Sequence, residues 1–255
     1  MNEPRRARDD ERLAELLRVA AERIEPRREP SALTSRVLSG ATDSFFGVDS
    51  PIGTVYVALG ADGVRYLSPA AAEEEFARRY RERFGRFVVP AARDRIGDLA
   101  ERVAKALAGE LVEVPLDLSR ATPFQRRVLD AVRGIPRGEV RPYVWVAREA
   151  GSPGASRAVG SVMANNPIPL IIPCHRVVRN DGSTGSYAFG EGEKVRLLKQ
   201  EGVSPEEIEG APYVATPTTG IVCHATCPNA RRIRPENRRT FRSLREARRA
   251  GYRPC

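Results

Sequence analysis

Long hydrophobic runs are missing from this sequence. No apolar stretch approaches the roughly 18 to 20 residues that span a bilayer, and the Arg- and Asp/Glu-rich start lacks the apolar core of a secretory signal. A membrane partner is therefore not expected, and a cytoplasmic location is. Cysteine is scarce: Cys174, Cys223, Cys227 and Cys255 are too few and too unevenly placed for the disulfide framework of a small secreted domain. They read instead as reactive or metal-binding thiols. Histidine is scarcer, with only His175 and His224 in the chain, and no internal repeat is visible. Acidic residues nearly vanish from the last segment, where Ala211 to Cys255 holds ten arginines against two glutamates and so carries eight of the nine formal net positive charges. Such a balance favours a polyanionic partner, although solubility alone also accounts for a surplus of this size.

What is present suffices for one large domain or two modest ones, since 41% of the 255 residues are hydrophobic. Leu13, Leu16, Leu17, Ala20 and Ile24 predict one helical face within residues 1–30, closed by Pro26 and Pro30, read as a docking helix or a mobile extension. Ile52 to Leu59, the turn Ala61-Asp62-Gly63 and Val64 to Leu67 predict a hairpin. Helices follow over Ala70 to Phe84 and Asp94 to Ala108, each stopped by the next glycine. Phe45 to about Leu118 thus reads as a small α/β domain. A second unit opens at Thr122, a helix cap with Pro123 at the first position, and Phe124, Val128, Leu129 and Val132 line its buried face. Tyr143 to Ala150, a Gly151 to Gly154 turn and Ala155 to Asn165 outline a helix-turn-helix, a weak signal by itself.

The chemistry concentrates in Ile171-Ile172-Pro173-Cys174-His175-Arg176-Val177-Val178, whose β-branched flanks predict a strand. A thiol attacks carbon as thiolate, so a base or positive field must lie near it, and His175 can supply one. Adjacent strand residues face opposite ways, which makes a bridging water the expected link between Cys174 and His175. Buried free cysteine is common, and from the residue types alone Cys174 reads either as a nucleophile or as one more small core residue.

Pro173-Cys174-His175-Arg176-Val177, preceded by Asn166-Pro167-Ile168-Pro169 and followed by Gly185-Ser186-Tyr187 and Leu197-Leu198-Lys199-Gln200-Glu201-Gly202, resembles the methylated-DNA–protein-cysteine methyltransferases, or O6-alkylguanine-DNA alkyltransferases. The resemblance runs from about Phe45 to Gly202, loosely before Thr122 and closely after it. It implies that Cys174 accepts an alkyl group from O6 of a flipped guanine in double-stranded DNA, once per molecule and without a cofactor. It further implies that His175 draws off the thiol proton through a water and that Glu201 orients the imidazole. By the same resemblance, Tyr143 crowds a phosphate and protonates the leaving base, and Arg157 fills the hole left by the rotated nucleotide. Ala155 and Ser156 belong to the small-residue face that meets the DNA, Asn166 ties the recognition helix to the active-site strand, and Tyr187 sits in a loop closing on the guanine. Arg157 as a surface ion-pair residue and Glu201 as a helix-end charge are the plainer readings. Extrusion costs a few kcal/mol, which a wedge and a phosphate contact can meet.

The tail, with Thr218-Thr219-Gly220-Ile221-Val222-Cys223-His224-Ala225-Thr226-Cys227, Arg234-Pro235-Glu236-Asn237 and Ala250-Gly251-Tyr252-Arg253-Pro254-Cys255, resembles the zinc module of the Ada adaptive-response proteins. That implies zinc on Cys223, Cys227 and Cys255, with Cys223 a second methyl acceptor for phosphotriesters. The family's final CxxC is met only at its first member, leaving three thiolates where tetrahedral zinc takes four ligands; His224, a water or the terminal carboxylate are the candidates to complete it. A working zinc module, a remnant that still binds DNA and a plain basic tail stay open. The expected fold is α/β plus α: an extension at 1–30, a ribonuclease-H-like α/β domain at 45–118, a winged-helix-like (helix-turn-helix) alkyltransferase domain at 120–205 and the tail at 211–255. The expected protein is a monomer. The rival is a lesion- or DNA-binding regulator with vestigial chemistry, against which the presence of Cys174 argues.

Overall fold

In the computed structural model the residues described are 42–92, 96–110 and 112–255. The helix expected within residues 1–30, and the expected helix start at Asp94, lie outside them. Asp43–Cys255 forms one compact unit.

The hairpin forms as the alternation predicts. Strands β1 (Thr42–Ser50), β2 (Gly53–Leu59) and β3 (Val64–Pro69) run antiparallel, with Phe46 opposite Val57 and Leu59 opposite Val64. Strand β1 was not expected as a separate element; its period-two burial supplies the third strand a free hairpin needs to bury a face. Helix α1 (Glu73–Phe84) has three glutamates in its first turn and ends at Gly85, whose φ of +65° gives the left-handed stop. It lays Phe76, Tyr80 and Phe84 against Phe45 and Tyr66. Strand β4 (Phe87–Pro90) completes a sheet of order β3-β2-β1-β4. Helix α2 (Leu99–Leu107) covers its other face through Val103 and Leu107.

Helix α3 (Pro123–Arg133) starts as expected, with a full capping box: the Thr122 hydroxyl accepts from the Gln125 N–H and the Gln125 carboxamide accepts from the Thr122 N–H at 2.9 Å. A two-residue strand β5 (Arg141–Pro142) leads into α4 (Tyr143–Glu149), and α5 (Ser156–Ala164) packs on both α3 and α4. The strand expected over Ile171 to Val178 is mostly absent. Cys174–Arg176 is a single 3-10 turn, and only Val177–Val178 (β6) is extended, pairing in parallel with β5. Pro173 lacks the N–H a ladder would need, and Leu170, at φ +71°, bends the chain before it. Helices α6 (Glu191–Gln200) and α7 (Pro205–Ile208) follow.

The tail is a small sheet of order β10-β8-β7-β9, built from β7 (Tyr213–Thr216), β8 (Ile221–His224), a short α8 (Pro228–Arg231), β9 (Arg239–Phe241), α9 (Leu244–Arg249) and β10 (Arg253–Pro254). No helix among the described residues is long and apolar enough to cross a membrane.

One hydrophobic cluster links the first sheet to the helices, from Phe46, Val57 and Leu67 through Leu129, Val146 and Val159 to Ile172 and Leu197. Beside it lies a buried charge network. Asp43 accepts from Arg65 at 2.6 Å, from Arg86 at 2.9 Å and from the Tyr80 hydroxyl, while Arg65 also donates twice to Asp117. The Asp43 side chain is 6% exposed, so its removal takes a buried carboxylate from two guanidiniums and from the Tyr80 hydroxyl and leaves Arg65 to Asp117. Asp43→Ala is expected to destabilise the chain by about 3 to 5 kcal/mol in urea titrations; a loss under about 1 kcal/mol would mean that the network is solvated.

Candidate active site

Cys174 stands at the floor of a cavity of about 680 Å³ whose lining includes Tyr143, Arg157, Arg179, Ser186 and Tyr187. The side chain is 3% exposed, and its Sγ lies 3.2 Å from the Asn166 carboxamide nitrogen. The same nitrogen donates to the Ile172 carbonyl at 2.9 Å, and the Asn166 oxygen accepts from the Ile168 N–H. Asn166 therefore clamps the bend through which the chain reaches Cys174. Burial pushes the thiol up, against the Asn166 hydrogen bond and the positive field of Lys194, so its resting form is the neutral thiol.

A proton acceptor lies next to it in the same turn. His175 Nε2 is 3.1 Å from Glu201 Oε1, and Arg176 grips the same carboxylate with Nε at 2.9 Å and Nη2 at 2.7 Å. Burial would raise Glu201, but hydrogen bonds from His175 and Arg176 hold it at about 2. An ionised carboxylate accepts, so Nε2 carries the imidazole hydrogen and Nδ1 presents a lone pair. His175 Nδ1 is buried and has no partner among the described residues. Burial also lowers His175 itself below its ordinary value, which favours the neutral ring. A neutral imidazole with a bare, buried nitrogen can take a proton from a neighbouring thiol.

The remaining expected residues fall into two sets. Tyr143, the first residue of α4, and Tyr187 line the cavity with Cys174, and burial raises both phenols. The Tyr187 hydroxyl is buried without a partner among the described residues, and its ring meets His175 edge-on at 6.3 Å. Arg157 is exposed on α5 at the cavity rim, with Ser156 beside it and Ala155 at the helix cap.

Three residues were not singled out in the sequence. Arg176 holds Glu201 and also donates to the Ile135 carbonyl at 2.7 Å, and Arg179 is among the residues that line the cavity. Lys194 is 1% exposed, donates from Nζ to the Val177 carbonyl at 2.6 Å and is lowered by burial to about 8. The signal for Lys194 was its spacing. It precedes Leu197 and Leu198 by three and four residues, which puts a lysine on the buried stripe of α6.

The tail thiols meet through sheet pairing. Parallel β10 sets Pro254 opposite Val222, and the Cys255 N–H donates to the Val222 carbonyl. Burial, then the thiols of Cys255 and Cys227, push Cys223 up to about 12. Cys223 thus has two further thiols for neighbours, and thiolates are the donors that soft divalent cations favour. No group of three or more His, Cys, Asp or Glu residues placed to hold a metal ion is nevertheless found among the described residues. His224 does not complete one. On β8 it follows Cys223 and faces the other way, its ring 5.0 Å from that of Tyr213, and burial with nearby Arg141 and Arg148 lowers it to about 3.

Residues 123–203 match the family described as 6-O-methylguanine DNA methyltransferase, DNA binding domain, and residues 204–255 match the metal binding domain of Ada. A methylated-DNA–protein-cysteine methyltransferase of Methanothermobacter thermautotrophicus is 50% identical over 91 residues, covering 36% of this chain and 51% of that protein. One from Salmonella typhimurium is 42% identical over 108 residues, covering 42% and 63%. The chain thus spans between half and two thirds of these relatives. The crystal structure of Mycobacterium tuberculosis O6-methylguanine methyltransferase aligns with 35% identity over 62% of this chain and 92% of that one, at a TM-score of 0.49.

The relay has a consequence for stability. Glu201 falls from an unfolded value near 4.3 to about 2 in the folded chain. It therefore adds stability that is fully present above about pH 4.5 and is lost as pH falls toward 2. Glu201→Gln should cost on the order of 2 to 3 kcal/mol at neutral pH, and the gap to wild type should close through that acid window in urea midpoints; a gap independent of pH would mean that the carboxylate is not held as described. With the thiol, imidazole and carboxylate all inside the matched segment, residues 123–203 are a DNA-binding domain of the 6-O-methylguanine DNA methyltransferase family, joined to a metal-binding domain of the Ada kind.

Proposed function

We propose that this chain repairs DNA by direct reversal, moving an alkyl group from O6 of guanine in double-stranded DNA to Cys174, once per molecule. The observation that carries the reading is the line of groups behind the sulfur: Cys174 at the cavity floor, His175 with Nδ1 bare, and Glu201 at 3.1 Å from Nε2.

The target oxygen lies inside a base pair, so the nucleotide must leave the stack. The cavity is the place to receive it, and Arg157 at the rim is placed to occupy the gap. Once the base is seated, the thiol proton passes through a water to His175 Nδ1, and Glu201 stabilises the imidazolium that results. The thiolate sulfur attacks the alkyl carbon, a C–S bond forms, the C–O bond to guanine breaks, and its electron pair stays on the base. Tyr143 donates a proton to the departing guanine, and the proton held on His175 restores the phenol through solvent. Lys194 supports the thiolate electrostatically. The thioether has no leaving group, so the protein is consumed.

The segments at 45–118, 120–205 and 211–255 serve as a ribonuclease-H-like α/β scaffold, a winged-helix-like reader and an Ada-like tail. Antiparallel β1 to β3 backed by α1, and the α4–α5 pair beneath the cavity, support those names. In the tail, Cys223, Cys227 and Cys255 would hold zinc, with a fourth ligand from outside this set. Bound zinc keeps its thiolates ionised and, in the Ada type of module, makes one of them a methyl acceptor. Arg148, Arg245, Arg248 and Arg249 line a groove that suits DNA phosphates.

Incubation with a duplex holding O6-methylguanine should add about 14 Da, one CH2, to the Cys174 peptide, with at most one turnover per chain. Persistence of repair in Cys174→Ala would overturn the assignment. Freshly purified, reduced protein should carry about one zinc per chain by metal analysis; none would leave the tail as a basic DNA-contacting segment.

A further inference from the structure

The transfer uses Cys174 and Tyr143 at the cavity and His175 with Glu201 behind it, and gives no part to the loop beyond them. Residues 135–140 run from the end of α3 to β5 and touch the relay from outside. Arg176 donates to the Ile135 carbonyl at 2.7 Å, and the Gly138 N–H points at Glu201 Oε2 from 3.5 Å. A Cβ at Gly138 would lie 3.0 Å from the Glu201 carbonyl oxygen, at a backbone φ of +77°. This close approach leaves the relay little room on that side.

The outer side of the same loop is held by the tail. The Val140 N–H donates to Thr226 Oγ1 at 2.9 Å, and both residues are buried, Val140 at 5% and Thr226 at 4% exposure. The Thr226 hydroxyl turns back to the Val140 carbonyl at 3.4 Å. Arg231 Nη2 donates to the Gly138 carbonyl at 2.5 Å. Ala225 packs on the cluster of Val140, Val178 and Leu198. Thr226 lies between Cys223 and Cys227, and Arg231 ends the short helix that follows them. Beyond Val140, Arg141 pairs with Val177, the residue after the Cys174–Arg176 turn, and Tyr143 opens α4. A shift of Gly138–Val140 is thus passed backward to Glu201, sideways to Val177 and forward to Tyr143.

We infer that Thr226 and Arg231 are positioning residues for alkyl transfer at Cys174: the tail braces the Gly138–Val140 loop from outside, and that loop holds Glu201 on His175 and Tyr143 at the cavity. The inference rests on Cys174 being the acceptor. It makes the tail a structural partner of the reactive centre, apart from anything its thiols bind. On this inference, rearrangement of the Cys223–Cys227 loop is passed to Glu201 through the Gly138–Val140 loop, and the coupling is reciprocal for binding equilibria.

The test uses the full chain and a duplex containing O6-methylguanine, with the single-turnover rate at saturation separated from the DNA concentration giving half-saturation. Thr226→Val keeps the shape but removes the acceptor of the Val140 N–H; Thr226→Ser restores it; Arg231→Met keeps the stem without the donor. The saturated rate should fall about tenfold in Thr226→Val and in Arg231→Met, as expected for sub-ångström displacement of reacting groups. It should return to within twofold of wild type in Thr226→Ser, with half-saturation changed less than twofold throughout. Should Thr226→Val fail to fold, Arg231→Met and Thr226→Ser decide. A folded variant that transfers at the wild-type rate, or one that loses DNA affinity instead of rate, overturns the inference. Absence of transfer by the wild-type chain overturns the acceptor reading itself.

Discussion

Glu201 holds the reactive centre together, because a single carboxylate accepts from both His175 and Arg176 at the end of a helix otherwise distant in sequence. Ionised and largely shielded from solvent, it cannot release either donor without leaving charge poorly solvated. That one constraint fixes the imidazole tautomer, leaves Nδ1 as the open acceptor, and anchors the Cys174–Arg176 turn to α6 and, through Arg176, to the loop after α3. The geometry of the thiol follows from where this carboxylate sits.

The electrostatics of the site are asymmetric. Burial raises the Cys174 thiol and lowers Lys194 and His175, so each group is pushed toward its neutral form. Glu201 alone runs the other way. A thiol kept protonated in the resting chain is protected from adventitious oxidation and alkylation, since the thiolate is the reactive species. Ionisation then belongs to the moment when a substrate supplies new partners, which suits a residue that can be used only once.

The two sulfur centres are built by different means. Cys174 is set in a tight turn clamped by Asn166, whereas Cys223 and Cys255 are brought together by a parallel strand pair between segments about thirty residues apart. The tail sheet carries a small apolar core of Tyr213, Ala215, Val222 and Ala247, modest for an independent fold, and it seats Thr226 and Arg231 on the main body. Arginines dominate its surface, so the attraction it exerts on DNA phosphates is mainly electrostatic and weakens as salt rises.

Local chemistry explains what could be read from the sequence. The capping box at Thr122 and Gln125, the stop at Gly85, the β2–β3 hairpin and the Cys174-His175-Arg176 group all depend on neighbours a few residues away. Glu201 and Asn166 were named from motif spacing that resembles a known family, and they lie against His175 and Cys174. The strand drawn through Cys174 was not borne out, since β-branched flanks report burial as much as extension and Pro173 with Leu170 turned the chain instead. Only the tertiary structure decided that Lys194 lies buried against the Val177 carbonyl, that Cys255 returns to Cys223, that His224 faces away from the thiols, and that the tail rests on the loop behind Glu201. These are contacts between residues far apart in the chain, set by how whole faces pack, and no local propensity encodes which distant surface a buried polar group will find.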